Sequence, residues 1–298
     1  MDRLDAMKTV LDVVDAGSLS AAGRKAGIPL ATLSRKISEL ESHLGVRLFT
    51  RTSRKLEPTE AGSAYIAALP RILADIAEAE RAASGEYRTP KGELVMTAPV
   101  VFGRTHLLPV VLEFLKTYPE IDIRLVLSDA RLDLAADHVD LGIRIGPLAD
   151  SAAIARRLGD TRRIICASPD YLAARGVPRH PHDLVDHDGI GLHSLTSDRG
   201  WRFTSGKREL LVAPRYRVRV NATEAAIDAA VAGMGLTPVL GYQVQAHLDS
   251  GALRPVLEDF EPAPWPIHIV HIAQGLVPQK VRTFLDWATP RLSARLKA

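Results

Sequence analysis

The sequence predicts an α/β protein: a small basic helical domain at the N-terminus, a long helix, and a larger body in which strands and helices alternate. Three observations point there. Apolar residues recur at helical spacing through the first sixty positions, punctuated by glycines. Basic residues crowd the same stretch. Beyond residue 90, short apolar runs alternate with helical patterns, as in sheets covered on both faces. At 298 residues the chain has length for about two domains. With 46% hydrophobic and 24% charged residues and a mean hydropathy of +0.02, it has the composition of a globular chain. No apolar run reaches the ~18–20 residues of a membrane span, and the opening MDRLDAMKTV lacks a signal peptide's apolar stretch. Cys166, alone in the chain, forms no internal disulfide, so the expected compartment is the reducing cytoplasm.

Leu4, Met7, Leu11 and Val14 mark one face of a first helix that ends at Gly17. Ser18 or Ser20 is placed to cap a short second helix, which Gly27 stops. After the turn Gly27-Ile28-Pro29, a third helix carries Leu33, Ile37, Leu40 and Leu44 on one face and closes at Gly45. Two helices joined by a short glycine-containing turn make a helix-turn-helix pattern. On the third helix Ala31, Arg35 and Ser38 point away from the apolar stripe, flanked by Thr32, Ser34 and Lys36. Short hydroxyl side chains with an arginine suit a helix entering the DNA major groove, where arginine donates two bonds to guanine O6 and N7. The segment VRLFTRTSRKLEPT then reads as a hairpin wing around a tip of Thr52, Ser53, Arg54 and Lys55, with Arg51, Arg54 and Lys55 placed to meet phosphates.

The charge supports this. Between residues 20 and 55 there are eight bases and two acids, +6, which leaves −3 for the rest of a chain whose formal net charge is +3. A basic segment on a mildly acidic body is the footprint of a nucleic-acid module, although a solvated basic face has the same count.

The stretch AGSLSAAGRKAGIPLATLSRKISELESHLGVRLFTRTSRKLEPTEAG closely resembles the winged helix-turn-helix of LysR-type transcriptional regulators. The resemblance implies that Ser34, Arg35 and the positions before them lie in the major groove, with the wing at the adjacent minor groove. Ser18, Ser20, Leu30, Ala31, Thr32 and Lys36 complete the expected DNA-contacting set. Where such regulators commonly carry a glutamine, this chain has Leu30; leucine cannot make the bidentate amide contact to adenine and is limited to apolar contact such as a thymine methyl.

Thr59 is placed to cap the next helix. Tyr65, Leu69, Ile72, Ile76 and Ala79 follow at spacings of 4, 3, 4 and 3, a heptad seam that can pair two chains or pack within its own. From Thr59 to Glu86 such a helix would extend ~40 Å, enough to hold two reading heads about one DNA turn apart. Pro70 is expected to kink it. Family resemblance favours dimerisation through this helix, with tetramers or higher assemblies. The expected divisions are a reading head over 1–58, a linker helix over 59–88 and a body over 89–298.

In the body the expected strands are ELVMTAPV, IDIRLVLSD, DLGIRIG, RRIICAS and PIHIVHI. The expected helices lie around LLPVVLEFLKTY, LDLAADH, EAAIDAAVAGM and KVRTFLDWATPRL. Ligands of open α/β sheets bind beyond the carboxyl ends of strands. APVVFGR, LSDARLDL, DLGIRIGPLADSA, CASPDYLA and AAVAGMGL resemble the effector domain of the same family, a two-lobed periplasmic-binding-protein-like fold. The resemblance implies lobe I over 89–161 and 268–298, lobe II over 162–267, and a small-molecule effector in the cleft between them. Carried over, Pro99, Val100, Val101, Phe102, Ser128, Arg144, Gly146, Asn221 and Thr223 line that cleft, with Trp201 of a lobe II loop either covering a ligand ring or packing. Val101 stands where a Ser or Thr is common. Arg144 could pair with an anionic effector or with an internal acid, Asp129 or Asp140.

Other chemistry is poorly supported. His180, His182, Asp183, His187 and Asp188 invite a metal reading, but their proline-rich setting favours surface. Gly233-Met234-Gly235 and Gly189-Ile190-Gly191 lack a dinucleotide fingerprint, Gly206-Lys207 lacks a P-loop's first glycine, and no G-x-S-x-G elbow occurs. Cys166 sits in an apolar strand, where an inert thiol is the default. No catalytic residue, metal or cofactor is expected. The expected function is a DNA-binding regulator modulated by a small organic or aromatic acid, with double-stranded DNA, the effector and its own copies as partners and no membrane. The alternatives are a ligand-binding protein or enzyme built on the α/β body, and a regulator without an effector.

Overall fold

The computed structural model describes residues 2–51, 56–84, 90–130, 132–148, 153–192, 200–272 and 277–297. The chain forms two compact units, Met1–Arg88 and Thr89–Ala298. Among the described residues no helix is long and apolar enough to cross a membrane.

The first unit contains α1 (Arg3–Ala16), α2 (Leu19–Ala26), α3 (Leu30–Leu44), the antiparallel pair β1 (Phe49–Arg51) and β2 (Leu56–Pro58), and α4 (Glu60–Ser84). Gly17, Gly27 and Gly45 each end a helix in the left-handed conformation, the role that glycine fills without steric cost. Ser18 caps α2, its hydroxyl oxygen accepting from Ala21 N–H at 3.1 Å. The buried face of α1 takes in Met7 of the expected stripe together with Ala6, Val10 and Val13; Leu4 and Leu11 are half-buried against the same core, and Val14 is 37% exposed. That face packs against α2, α3 and α4.

Leu48 is where this unit is locked. Its N–H and that of Phe49 donate to Glu41 Oε1 at 2.8 and 3.1 Å. Its carbonyl accepts from Thr59 N–H at 2.9 Å. The Thr59 hydroxyl donates to Arg47 O at 2.7 Å and accepts from Gly62 N–H at 2.9 Å, capping α4. A Cβ on Gly62 would lie 1.9 Å from the Leu48 carbonyl oxygen, so only glycine lets α4 pass. α4 runs through Pro70 as a single helix.

In the second unit the described strands are β3 (Gly92–Ala98), β4 (Ile121–Leu127), β5 (Leu141–Ile145), β6 (Ala153–Thr161), β7 (Arg163–Ala167), β8 (Asp188–Leu192), β9 (Trp201–Ser205), β10 (Arg208–Val212), β11 (Arg215–Val220), β12 (Thr237–Leu240), β13 (Arg254–Val256) and β14 (Trp265–Ile272). The helices are α5 (Val100–Phe102), which runs through a π-helical turn at Gly103–Leu107 into α6 (Leu108–Thr117), then α7 (Pro169–Arg175), α8 (Thr223–Val231), α9 (Gly241–Asp249) and α10 (Gln279–Arg295).

Lobe I is a five-stranded sheet ordered β4-β3-β5-β14-β6 around a core containing Met96, Phe102, Phe114, Ile269 and Phe284. Lobe II joins β12-β7-β13 to the parallel pair β11-β8 through a bridge between Gly189 and Leu236. Alternate residues of β7 serve opposite faces. Ile164 and Cys166 pack with α8 and α9, whereas Ile165 and Ala167 pack beneath the β9–β10 hairpin. The chain crosses between lobes at Arg162. It returns before Trp265, which already pairs with Thr161. Arg162 donates to Glu261 at 2.7 and 2.8 Å and to Glu258 at 2.8 Å, tying the two crossings together.

One expected helix is absent. Residues 132–140 form turns, because the Asp133 carboxylate accepts from Ala135 and Ala136 N–H at 2.8 and 3.0 Å while Asp137 takes the Asp133 N–H. Such side-chain bonds compete with helical ones.

Gly62→Ala is expected to cost the first unit on the order of 2 kcal/mol or more, lowering its melting transition in calorimetry and leaving that of residues 89–298 in place.

Candidate nucleic-acid interface and ligand cleft

Leu33, Ile37 and Leu40 bury one side of α3 against the first unit's core, which leaves the opposite side to solvent. Leu30 (49% exposed), Ala31, Arg35 and Ser38 lie on that open side. Arg35 Nε approaches Glu39 at 3.9 Å, a loose exposed pair that a phosphate or base can displace. Thr32 and Ser34 are half-buried at the margin, and Ser20 is exposed on α2. Lys36 turns the other way: its ammonium pairs with Asp5 of α1 at 2.5 Å and its side chain is largely covered. Of the expected wing residues, Arg51 ends β1 opposite Leu56, and Thr52, Arg54 and Lys55 lie outside the described residues. The residue missed in the sequence is Glu41, an acid inside a basic segment; its two backbone bonds fix where the wing begins.

The expected dimer seam is corrected in its first half. Leu69 is 0% exposed within its own chain, and Tyr65 and Leu73 pack against the same core. The α4 surface near Leu69 is already used to dock on α1, so Leu69 is unavailable to a partner. Ile72 and Ala79 are exposed and Ile76 is half-buried.

In the second unit, Pro99 precedes the helical stretch that starts at Val100, at the carboxyl end of β3. The Val100 N–H donates to Asp129 Oδ1 at 3.1 Å, so a carboxylate of the chain already sits at this helix start. Ser128 N–H bonds Ala98 O at 3.0 Å and its hydroxyl accepts from Ala130 N–H, which sets the loop beside it. Pro99, Val100, Ser128 and Arg144 are half-buried and Asn221 is exposed, around the ends of β3, β4, β5 and β11.

Four other expected cleft residues are turned inward. Phe102 and Val101 are buried at the helix start, Phe102 in the lobe I core; Thr223 is buried in the first turn of α8. Trp201 starts strand β9 instead of lying in a loop, and its ring, 2% exposed, packs beneath the hairpin, so packing prevails over covering a cleft ligand. Gly146, with φ +97°, lies against the Trp265 ring.

Arg144 Nη2 donates to Leu132 O at 2.6 Å. Of the two acids considered for it, Asp129 accepts from the Val100 N–H, and Asp140 accepts from the Val95 N–H at 2.8 Å and lies 3.7 Å from Lys280.

Tyr242 of α9 was not visible in the sequence as a site residue. Its ring meets Phe102 edge-on at 5.5 Å and His106 at 5.6 Å, so it joins lobe II to lobe I. Burial, with Asp129 and Glu224 nearby, pushes its hydroxyl pKa up, and it remains a neutral phenol. Burial and Arg295 push the His106 pKa down.

The remaining candidates are structural. Asp183 accepts from Arg179 and His180 N–H, both at 2.9 Å, and His180 caps the same short 3₁₀ turn. His187 Nδ1 shares a 3.1 Å hydrogen bond with Tyr171, whose hydroxyl also accepts from Asp188 N–H. Among the described residues no group of three His, Cys, Asp or Glu side chains is placed to hold a metal. Gly189 and Gly235 serve packing: a Cβ there would strike Pro214 at 2.3 Å and the Asp188 carbonyl at 2.4 Å. The Cys166 thiol is fully buried, and burial pushes its pKa up to about 12. In the folded protein at about pH 8 it is therefore expected to resist a thiol-disulfide reagent and to react on unfolding; prompt labelling of the native protein would contradict this.

Comparison with known proteins agrees with both units. Residues 4–63 match the family described as bacterial regulatory helix-turn-helix protein, lysR family, and residues 88–293 match the LysR substrate binding domain. An HTH-type transcriptional repressor of Pseudomonas aeruginosa is 35% identical over 289 residues, covering 96% of this chain and 91% of that protein. The full-length structure of the Vibrio cholerae virulence activator AphB is similar with a TM-score of 0.61 at 31% identity, covering 96% of this chain and 98% of AphB. CrgA from Neisseria meningitidis, a LysR-type regulator, gives a TM-score of 0.61 at 28% identity over 99% of both chains. With a matching domain at each end and relatives named as regulators along its length, the chain belongs to the family of LysR-type, DNA-binding transcriptional regulators.

Proposed function

We propose that this regulator reads a specific duplex sequence with α3 and the wing and that a small organic acid, aromatic acids included, modulates it from the inter-lobe cleft. The parts are a reading head over 1–58, a spacer over 59–88 and a sensor over 89–298, acting in the cytoplasm. The open side of α3 carries this reading: Leu30, Ala31 and Arg35 are presented to solvent by a helix whose other side is locked into the core. Arg35 reads a guanine and Leu30 makes apolar contact, with Thr32 and Ser34 at the groove margin and Ser18, Ser20 and the wing bases towards the backbone. Lys36 acts through its tie to Asp5 and holds α3 on α1.

Two chains associate through Ile72, Ile76 and Ala79, the outward part of the α4 seam, and pairs of such dimers form tetramers. In the sensor, Pro99, Val100, Ser128, Arg144 and Asn221 surround the effector. An anionic effector competes with Asp129 for the Val100 N–H and gains Arg144. It shifts the reading heads only by the difference in its affinity for the two lobe arrangements.

Fluorescence anisotropy with the operator tests this. Log K is expected to fall against log salt by ~0.9 per phosphate contact. Arg35→Ala is expected to lose on the order of 1–3 kcal/mol of discrimination at one base pair. Equal binding of operator and scrambled duplex by the unaltered protein would contradict the reading.

A further inference from the structure

Lobe II contains a cavity of about 340 Å³ at its hinge edge, lined by Ile165, Trp201, Phe203 and Leu257 from the hairpin side of the sheet and by the neighbouring strand residues Ile164 and Val239. Its walls are apolar and largely aromatic: Ile165, Trp201, Phe203, Val239, Leu257 and Trp265. That volume is in the range of small-molecule sites. Of the residues expected to line the inter-lobe cleft, it shares Trp201 alone.

The polar groups at this cavity are unbalanced in one direction. The acid at its edge, Glu261, is spent on a two-bond pair with Arg162. Arg163 reaches Ala263 O through Nη2 at 3.1 Å and lies over the Trp265 ring at 5.0 Å, but its Nε–H is buried with no partner. The indole N–H of Trp201 is likewise buried and unpartnered. Both open groups are donors, so what satisfies them is an acceptor. Burial and the neighbouring charge of Arg202 disfavour the Arg163 cation, a cost that an anion beside it removes.

We propose that this cavity is a second ligand site, which takes an aromatic monocarboxylate with its ring between Trp201 and Trp265 and its carboxylate at Arg163 Nε and Trp201 Nε1. Flat apolar walls with two donors match one carboxylate; a phosphate would bring more charge and more acceptors than these groups meet. Trp265 and Pro147 belong to the ends of lobe I strands, and the other walls to lobe II. The occupant therefore touches both sides of the crossing and favours one lobe angle, whatever the cleft holds.

Calorimetric titration of the full-length protein with 2-naphthoate and with neutral 2-naphthamide tests the proposal. Saturable binding of naphthoate is expected, with the amide weaker. Arg163→Gln is expected to weaken naphthoate on the order of tenfold or more. Trp201→Phe, which keeps a ring and deletes the N–H, weakens it severalfold. Trp287→Phe leaves two of the chain's three tryptophans, both in the cavity wall, so naphthoate should quench the remaining emission. That readout decides if either cavity variant fails to fold. Absence of saturable binding, full-strength binding to folded Arg163→Gln and Trp201→Phe, binding without quenching, or loss on Ser128→Ala alone would each overturn it, the last by placing the ligand in the cleft.

Discussion

The DNA-facing unit depends on the close passage of α4 across the backbone of Leu48. At that crossing α3 ends, the wing begins and the long helix starts, and each is fixed to the same residue: Glu41 by the Leu48 N–H, Thr59 by its carbonyl, Gly62 by contact. The wing and the recognition helix must hold one geometry to fit adjacent grooves. A carboxylate, a hydroxyl and a missing Cβ hold that crossing. The same docking buries Leu69 and partly covers Tyr65.

The second unit is built on two lobes joined by two crossings of the chain. Those crossings are polar. Arg162 binds Glu258 and Glu261 in an exposed, charge-assisted cluster, and Trp265 pairs with Thr161 beside Arg163. These contacts tie the two crossings to each other and leave the lobes their own cores, one around Phe114 and Phe284, the other split by β7 into two faces. Phe102 and Tyr242 add an aromatic contact from lobe to lobe at the cleft. Relatives in this family are named both as repressor and as activator, so one architecture serves both.

Local signals in the sequence were the most legible. Gly17, Gly27 and Gly45 mark helix ends because the left-handed conformation selects their residue type, and the α3 stripe reads cleanly because a single face is buried. On α1 the expected Leu4, Met7 and Leu11 do reach the core, but Ala6, Val10 and Val13 are buried deeper, because a helix wedged between neighbours buries more than one stripe. The seam of α4 has the right spacing for pairing, but spacing does not say which neighbour covers it, and here the chain's own core takes Leu69. The LDLAADH helix fails because Asp133 and Asp137 satisfy the backbone themselves. Tyr242 and the pairing of Arg163 with Trp265 join residues far apart in the chain, and no local pattern records such contacts; Glu41 reaches only seven and eight residues on, but to backbone N–H groups beyond the helix end, which apolar periodicity does not record. Among the residues that family motifs assign to an expected cleft, burial separates the half-buried Ser128 and Arg144 from the buried Phe102 and Thr223.

The central claim is that the first unit recognises one DNA sequence and does so as a paired reader. Nuclease footprinting of the full-length protein on genomic fragments tests it most directly. Protection is expected at a discrete site with two related half-sites whose centres lie a whole number of helical turns apart, about 10.5 base pairs each. Uniform protection along every fragment, or a single unpaired half-site, would contradict it.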